Sequence, residues 1–320
     1  MTKRKSKTKP KTTMCKNNSS YFSAITGLLL LSAISISCAP QVENTSVESI
    51  QLEIPNEYKV GGFAVGPQAY TFNRFTVMEA IENAARMGGR IIELYPGQRL
   101  SPENPDTKFD HNSSDEIIAE VKAKLKEHDI IAVNYGVVGL PNNEEETRKV
   151  FDFAKTMGVK AVTSEPAMET MDLLEKMVKE YDIALAIHNH PPRPNNPDYK
   201  VWDPNYVLSM VEGRDPRVGA CADIGHWIRS DIKPIDGLKI LEGRLISLHM
   251  TDVDQFGSEG EDVIMGNGVG DMVAVLDELV RQNFGGHITI EYEANWNDNV
   301  PDASQNVGFI RGYTATKGLN

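Results

Sequence analysis

From residue 58 onward the chain repeats one pattern eight times, and that repetition limits its possible folds more than any other feature. A short apolar run, the pattern of a strand buried on both faces, is followed by a stretch with apolar residues at helical spacing. The runs are Tyr58–Val65, Arg90–Leu94, Ile130–Asn134, Val159–Ser164, Ile183–Ile187, the small-residue run from Arg217 to Ala222, Leu245–Leu248 and His287–Ile290. Between them lie helical faces: Met78, Ile81 and Ala85, closed by Gly88-Gly89; Ile118, Val121 and Leu125; Val150, Phe151, Ala154 and Met157, closed by Gly158; and Leu174, Met177 and Tyr181. Ser113 with Glu116 reads as a capping box, and Asp203-Pro204 as an N-cap and first helical residue. Further helices are expected from near Pro234, from about Asp271 to Gln282, and over 301–313. Eight such units fill the length, so the expected fold is α/β: a single-domain (β/α)8 TIM barrel over 58–320 rather than an open sheet.

In a parallel barrel the carboxyl ends of the strands form the active face. Here those ends carry ligand-type side chains: Glu165, His188 with His190, Asp223 with His226, His249, and Glu291 with Glu293. Taken singly, each reads as a hydrogen-bonded rim residue. Asp223, His249 and Glu291 together would leave three buried strands with uncompensated polar ends in one layer. Carboxylates and imidazoles without thiolates suit one divalent ion, Mn²⁺, Co²⁺, Mg²⁺ or Zn²⁺. Glu93 ends the second strand and reads as a contact to a substrate hydroxyl or as a rim salt bridge. Trp227 and Trp296 offer apolar walls for a substrate ring, or packing for barrel loops.

The N-terminus reads as an address. Seven basic and no acidic residues, the apolar stretch Tyr21–Ser37 and the sequence Ser35-Ile36-Ser37-Cys38 form a lipoprotein-type signal peptide over 1–37. A tether is expected over 38–57, with the protein exported to the periplasm or cell surface and a lipid on Cys38 as its sole membrane contact. Removing residues 1–37 takes the formal charge from −12 to about −19, which argues against nucleic acid as a partner. Past the signal only Cys38 and Cys221 remain, so no internal disulfide is expected.

The motifs Asp223-Ile224-Gly225-His226-Trp227, Leu248-His249-Met250-Thr251-Asp252, Gly266-Asn267-Gly268-Val269 and Gly285-Gly286-His287-Ile288-Thr289-Ile290-Glu291 resemble the xylose-isomerase-like TIM-barrel superfamily, the sugar phosphate isomerases and epimerases. The resemblance covers roughly 58–315. It implies one divalent metal held by Asp223, His249 and Glu291. Many relatives carry Glu on strand five, whereas this chain reads Ala186-Ile187-His188-Asn189-His190. Glu165 is therefore taken as the fourth ligand, with His188 as base or alternate ligand. Thr251 stands where relatives often show Lys. Glu165, His188 and Glu291 are the catalytic candidates, and Glu93, His190, His226 and Trp227 the candidate substrate contacts. The implied function is a metal-dependent sugar isomerase or epimerase working through an enediolate on a small-molecule keto-sugar. The alternatives are a lyase or dehydratase acting on a 3-keto-glycoside, or a sugar-binding barrel without catalysis. The nucleic-acid branch of the superfamily needs a richer metal set and a basic groove, neither of which this sequence has.

Overall fold

A computed structural model describes residues 49–319. The signal sequence, Cys38 and the first part of the expected tether lie outside the described residues. Eight strands form the parallel part of one sheet: β1 Phe63–Pro67, β2 Ile91–Leu94, β3 Ile131–Tyr135, β4 Ala161–Ser164, β5 Ala184–Ile187, β6 Val218–Asp223, β7 Leu245–Met250 and β8 His287–Ile290. Each pairs in parallel with its chain neighbour from β2 to β8, and β8 pairs with β1. Between β1 and β2 the Arg90 N–H donates to the Val65 carbonyl at 3.1 Å, and Gln68 bridges Glu93. These contacts close the ring as a TIM-type barrel. The helices follow in order: α1 Val77–Arg86, α2 Asp115–Glu127, α3 Glu144–Met157, α4 Met171–Tyr181, α5 Pro204–Val211, α6 Ile224–Arg229, α7 Pro234–Ile240, α8 Met272–Arg281 and α9 Val300–Lys317.

Four local expectations change. The first strand is broken: Lys59–Val60 pairs antiparallel with β1, because Gly61 and Gly62 take φ of 54° and 88° and turn the chain. The cap of α2 is Ser114, which accepts from Ile117 N–H, while Ser113 accepts from Asp110 N–H in the preceding turn. A short helix, α6, was not anticipated. The tether expected over 38–57 ends sooner, since residues 49–55 pack on the barrel. Leu52 N–H donates to the Gly285 carbonyl at 3.0 Å, and Ile54 is buried. Ile50, Leu52 and Ile54 are the apolar residues of this segment, and all three pack on the barrel.

This strap covers the amino ends of the strands. Leu52 packs on Ala161, Ala184, Ala186, Cys221 and Ile246 on one side, and on Ile54, Ala64, Ile91 and Val133 on the other. Cys221 is buried and unpaired, as a small core residue should be. The barrel bottom is thus apolar and filled. Further along the strands Glu93, Asn134, Thr163, His287 and Thr289 are all fully buried, forming a polar layer between the plug and the carboxyl ends.

Candidate active site

β6 runs into α6 without a loop, which fixes Asp223 at the strand end as the helix N-cap. Its Oδ1 accepts from His226 N–H at 2.7 Å, leaving Oδ2 to face the barrel axis. The tight join requires Gly225, where a Cβ would come within 2.3 Å of Thr251. Asp223 is in register with His249 on β7, and Met250 with Ile290 on β8, so Glu291 follows one step beyond. His188 follows β5 directly, its N–H donating to the Ser164 carbonyl at 2.9 Å.

These four side chains converge. One ligating atom from each of His188, Asp223, His249 and Glu291 lies within 4.8 Å of the others. Asp223 Oδ2 is 3.3 Å from His188 Nε2 and 3.9 Å from His249 Nδ1, and His249 Nδ1 is 2.6 Å from Glu291 Oε2. The first three residues are buried; the Glu291 side chain keeps 13% exposure toward the mouth.

Both imidazoles are braced from behind. His249 Nε2 donates to Glu93 Oε2 at 3.0 Å, and Thr289 Oγ1 donates to the same oxygen at 3.1 Å. His188 Nδ1 lies 3.2 Å from Glu165 Oε1. Glu165 also accepts from Tyr199 OH at 2.8 Å and Arg193 Nη2 at 2.9 Å, and it contacts His190 Nδ1. Burial alone would push the His188 imidazole down, but the Asp223 and Glu165 carboxylates outweigh it and raise the pKa to about 10. For His249, burial is likewise outweighed by Cys221, Glu93 and Glu291, and the group lies well above its ordinary value. The Asp223 and Glu291 carboxyls are held below theirs, against burial, by the surrounding histidines. Positive charge on the imidazoles thus balances the buried carboxylates.

A divalent cation fits this donor set. His249 Nδ1 is buried and, despite its closeness to Glu291, makes no hydrogen bond. An imidazole nitrogen and a carboxylate oxygen side by side without a shared proton in line is how two ligands of one ion stand. Two nitrogen and two oxygen donors without thiolate suit a borderline divalent metal. An ion there would take over the charge balance now carried by protons.

Comparison with known proteins agrees with the fold. Residues 81–313 match the family model described as xylose isomerase-like TIM barrel. The chain belongs to that family. An uncharacterised protein from Parabacteroides distasonis ATCC 8503 is 32% identical, with a TM-score of 0.63 over 78% of this chain and 99% of that one. A D-tagatose 3-epimerase-like protein, 17% identical, superposes with a TM-score of 0.62 over 79% and 97%. D-Psicose 3-epimerase from Clostridium cellulolyticum H10, 12% identical, gives 0.53 over 74% and 93%. No curated protein matches the sequence.

Within this family barrel, three expectations need correction. Glu165 does not join Asp223, His249 and Glu291; it groups instead with His188 and His190, because it approaches His188 from the Nδ1 side while the other ligands lie on the Nε2 side. Glu93 is no substrate contact, being fully buried beneath His249. Trp227 is no sugar wall either: it is 1% exposed and packs where a Cβ on Gly237 would meet its ring at 2.7 Å. His190 and His226 do face the mouth, with rings 4.7 Å apart and 31° from parallel. Burial lowers His226 to about 4, so its ring is neutral near pH 7. Trp296 is half-buried against Tyr70, which also meets Tyr95; the three rings follow β8, β1 and β2 in the chain.

Sequence reasoning missed the Arg229–Asp262 ion pair, whose acid accepts from Glu293 N–H. Asp262 lies on a hairpin formed by Asp252–Val253 and Asp262–Val263, which carries no strand-end signal. Burial, then Glu291, Asp262 and Asp223, raises the Glu293 carboxyl to about 8. It is protonated below that pH.

Proposed function

We propose that this chain is a divalent-metal-dependent enzyme that isomerises or epimerises a keto-sugar, with His188, Asp223, His249 and Glu291 as the metal ligands. The observation that carries the reading is the convergence of those four ligating atoms within 4.8 Å at the carboxyl ends of consecutive strands. The ketose 3-epimerase names of two structural neighbours point the same way. When bound, the ion would polarise a ketone and its neighbouring hydroxyl and stabilise the enediolate left when the carbon beside the ketone loses its proton.

The chain's own groups divide the remaining work. Glu291 is the least buried of the four cluster residues and is held ionised, so it is placed to accept the carbon-bound proton. Glu293, protonated below about pH 8, can supply one. Neutral His226 can donate to or accept from a sugar hydroxyl, and so can His190 at the mouth. The edge-to-face rings of Tyr70, Tyr95 and Trp296, which follow β1, β2 and β8, would give an apolar wall.

Isomerisation, epimerisation and β-elimination share the first proton removal, so the decisive test is exchange. The protein loaded with Mn²⁺, Co²⁺, Mg²⁺ or Zn²⁺ is incubated in D2O with ketoses and 3-keto-glycosides and followed by NMR. One specific C–H of the true substrate should exchange or its deuterium label should relocate, and a chelator should stop it. If no sugar loses or moves a proton under any metal, the reading fails in favour of a sugar-binding barrel.

A further inference from the structure

A cavity adjoins the candidate site at Glu165. It lies between the loops after β4 and β5, has a volume of about 510 Å³, and has Glu165 in its inner wall. That volume is within the range of about 300–1,000 Å³ typical of small-molecule sites. Glu165 braces His188 with one oxygen, so a residue of the cavity wall touches one member of the metal cluster. Its surfaces are of two kinds. Met168, 38% exposed, and Val201 supply an apolar side, while Asn196, Asp198 and Glu169 supply hydrogen-bonding groups. A pyranose ring has the matching character: an apolar face of C–H groups and an edge of hydroxyls. The Glu165 charge is taken up by Arg193, which leaves Glu169 and Asp198 against the one lining cation, Lys200, so a phosphate or carboxylate in the cavity would still meet net repulsion.

We propose that this cavity is the subsite for a second, uncharged sugar ring, and that the substrate is a neutral disaccharide or glycoside whose reacting ring sits over the His188–Asp223–His249–Glu291 cluster. The proposal rests on the sugar reading above. It deepens that reading by naming a substrate class larger than a monosaccharide and free of phosphate.

The test compares binding of D-fructose, D-fructose 6-phosphate and three neutral ketose disaccharides, lactulose, maltulose and cellobiulose, to the metal-loaded protein by calorimetry. At least one disaccharide should bind about tenfold or more tightly than D-fructose, and the phosphate ester no more tightly. Met168→Trp, which fills the cavity, and Asp198→Asn should erase that gain while leaving metal content and D-fructose binding unchanged. Both positions are exposed, so the fold should tolerate them. Disaccharides binding no better than D-fructose, or a gain that survives Met168→Trp, overturn the subsite; so does a failure of every sugar to bind. Metal content and C–H exchange on any of these sugars, measured in the same samples, separate the two failures. If both persist without a disaccharide gain, only the subsite falls. If both are absent, the enzymatic reading falls with it.

Discussion

Strands β5 to β8 and strands β1 to β4 end at the same face of the barrel but carry different kinds of acid. The second half presents Asp223 and Glu291 to the centre, each within reach of an imidazole nitrogen that is otherwise free to bind an ion. The first half presents Glu93 and Glu165 to the backs of those imidazoles, Glu93 from β2 to His249 on β7 and Glu165 beyond β4 to His188 beyond β5. In the proposed site one half would bind the ion and the other would aim its imidazoles. Outer partners of this kind fix the tautomer and orientation of ligating histidines. Burying a carboxylate at the depth of Glu93 is costly unless it is paired, and its pairing with His249 and Thr289 is what makes the position tolerable.

The division predicts its own largest effect. Asp223→Ala, His249→Ala, Glu291→Ala and His188→Ala should each weaken metal binding by more than about 100-fold, the upper end of what outer partners contribute. Circular dichroism should show the barrel retained. Metal titration with an absorbing ion such as Co²⁺ reads the affinity directly. If His188→Ala leaves binding near wild type, the second half supplies only three ligands and the fourth must come from elsewhere.

The barrel was legible in the sequence because eight buried runs alternate with eight helical faces, and burial on both sides of a parallel strand leaves an unbroken apolar signature. Asp223, His249 and Glu291 were legible because each closes such a run. The distinction between Glu165 and His188 was not, because both sit one residue past a strand and only the rotation of each strand about the barrel decides which side of the imidazole a carboxylate reaches. Glu93 misled for the same reason. A strand-end acid looks alike whether it points up into the mouth or inward across the barrel, and Glu93 points inward because strand alternation puts it on the face of Ile91, inside the barrel, opposite Ile92 and Leu94. Trp227 was misplaced because α6 begins at once after Asp223, turning the next residues back toward α7.

Glu93 should give the next largest effect. Glu93→Ala removes the acceptor of the His249 Nε2 proton and leaves a buried imidazole unpaired. Metal binding should weaken by about 10–100-fold, and urea denaturation of the metal-free protein should show a loss of about 3–5 kcal/mol, the usual cost of breaking a buried pair. Unchanged stability would mean that His249 does not depend on Glu93, and the aiming role of the first half would fail at its deepest point.

Glu165→Gln should have the smallest effect, less than about tenfold on metal affinity at pH 7, below what Glu93→Ala costs. Three features soften the loss. The amide oxygen of Gln can still accept from His188 Nδ1; Glu165 is nearer solvent than Glu93, with 13% side-chain exposure against none; and part of its charge is already spent on Arg193. Proton linkage softens it further. With its pKa raised to about 10, His188 is protonated in the metal-free protein at neutral pH, so an ion must displace that proton, and affinity should rise as pH increases toward 10. Removing the Glu165 charge lowers the His188 pKa, so displacing its proton at pH 7 costs less, which offsets part of the weakened bracing. Calorimetry of metal binding at about pH 9, near the His188 pKa, in buffers of different ionisation enthalpy measures this: Glu165→Gln should release fewer protons than wild type. A loss of affinity as large as that of His188→Ala, with proton release unchanged, would instead make Glu165 a ligand and move it from the half that aims to the half that binds.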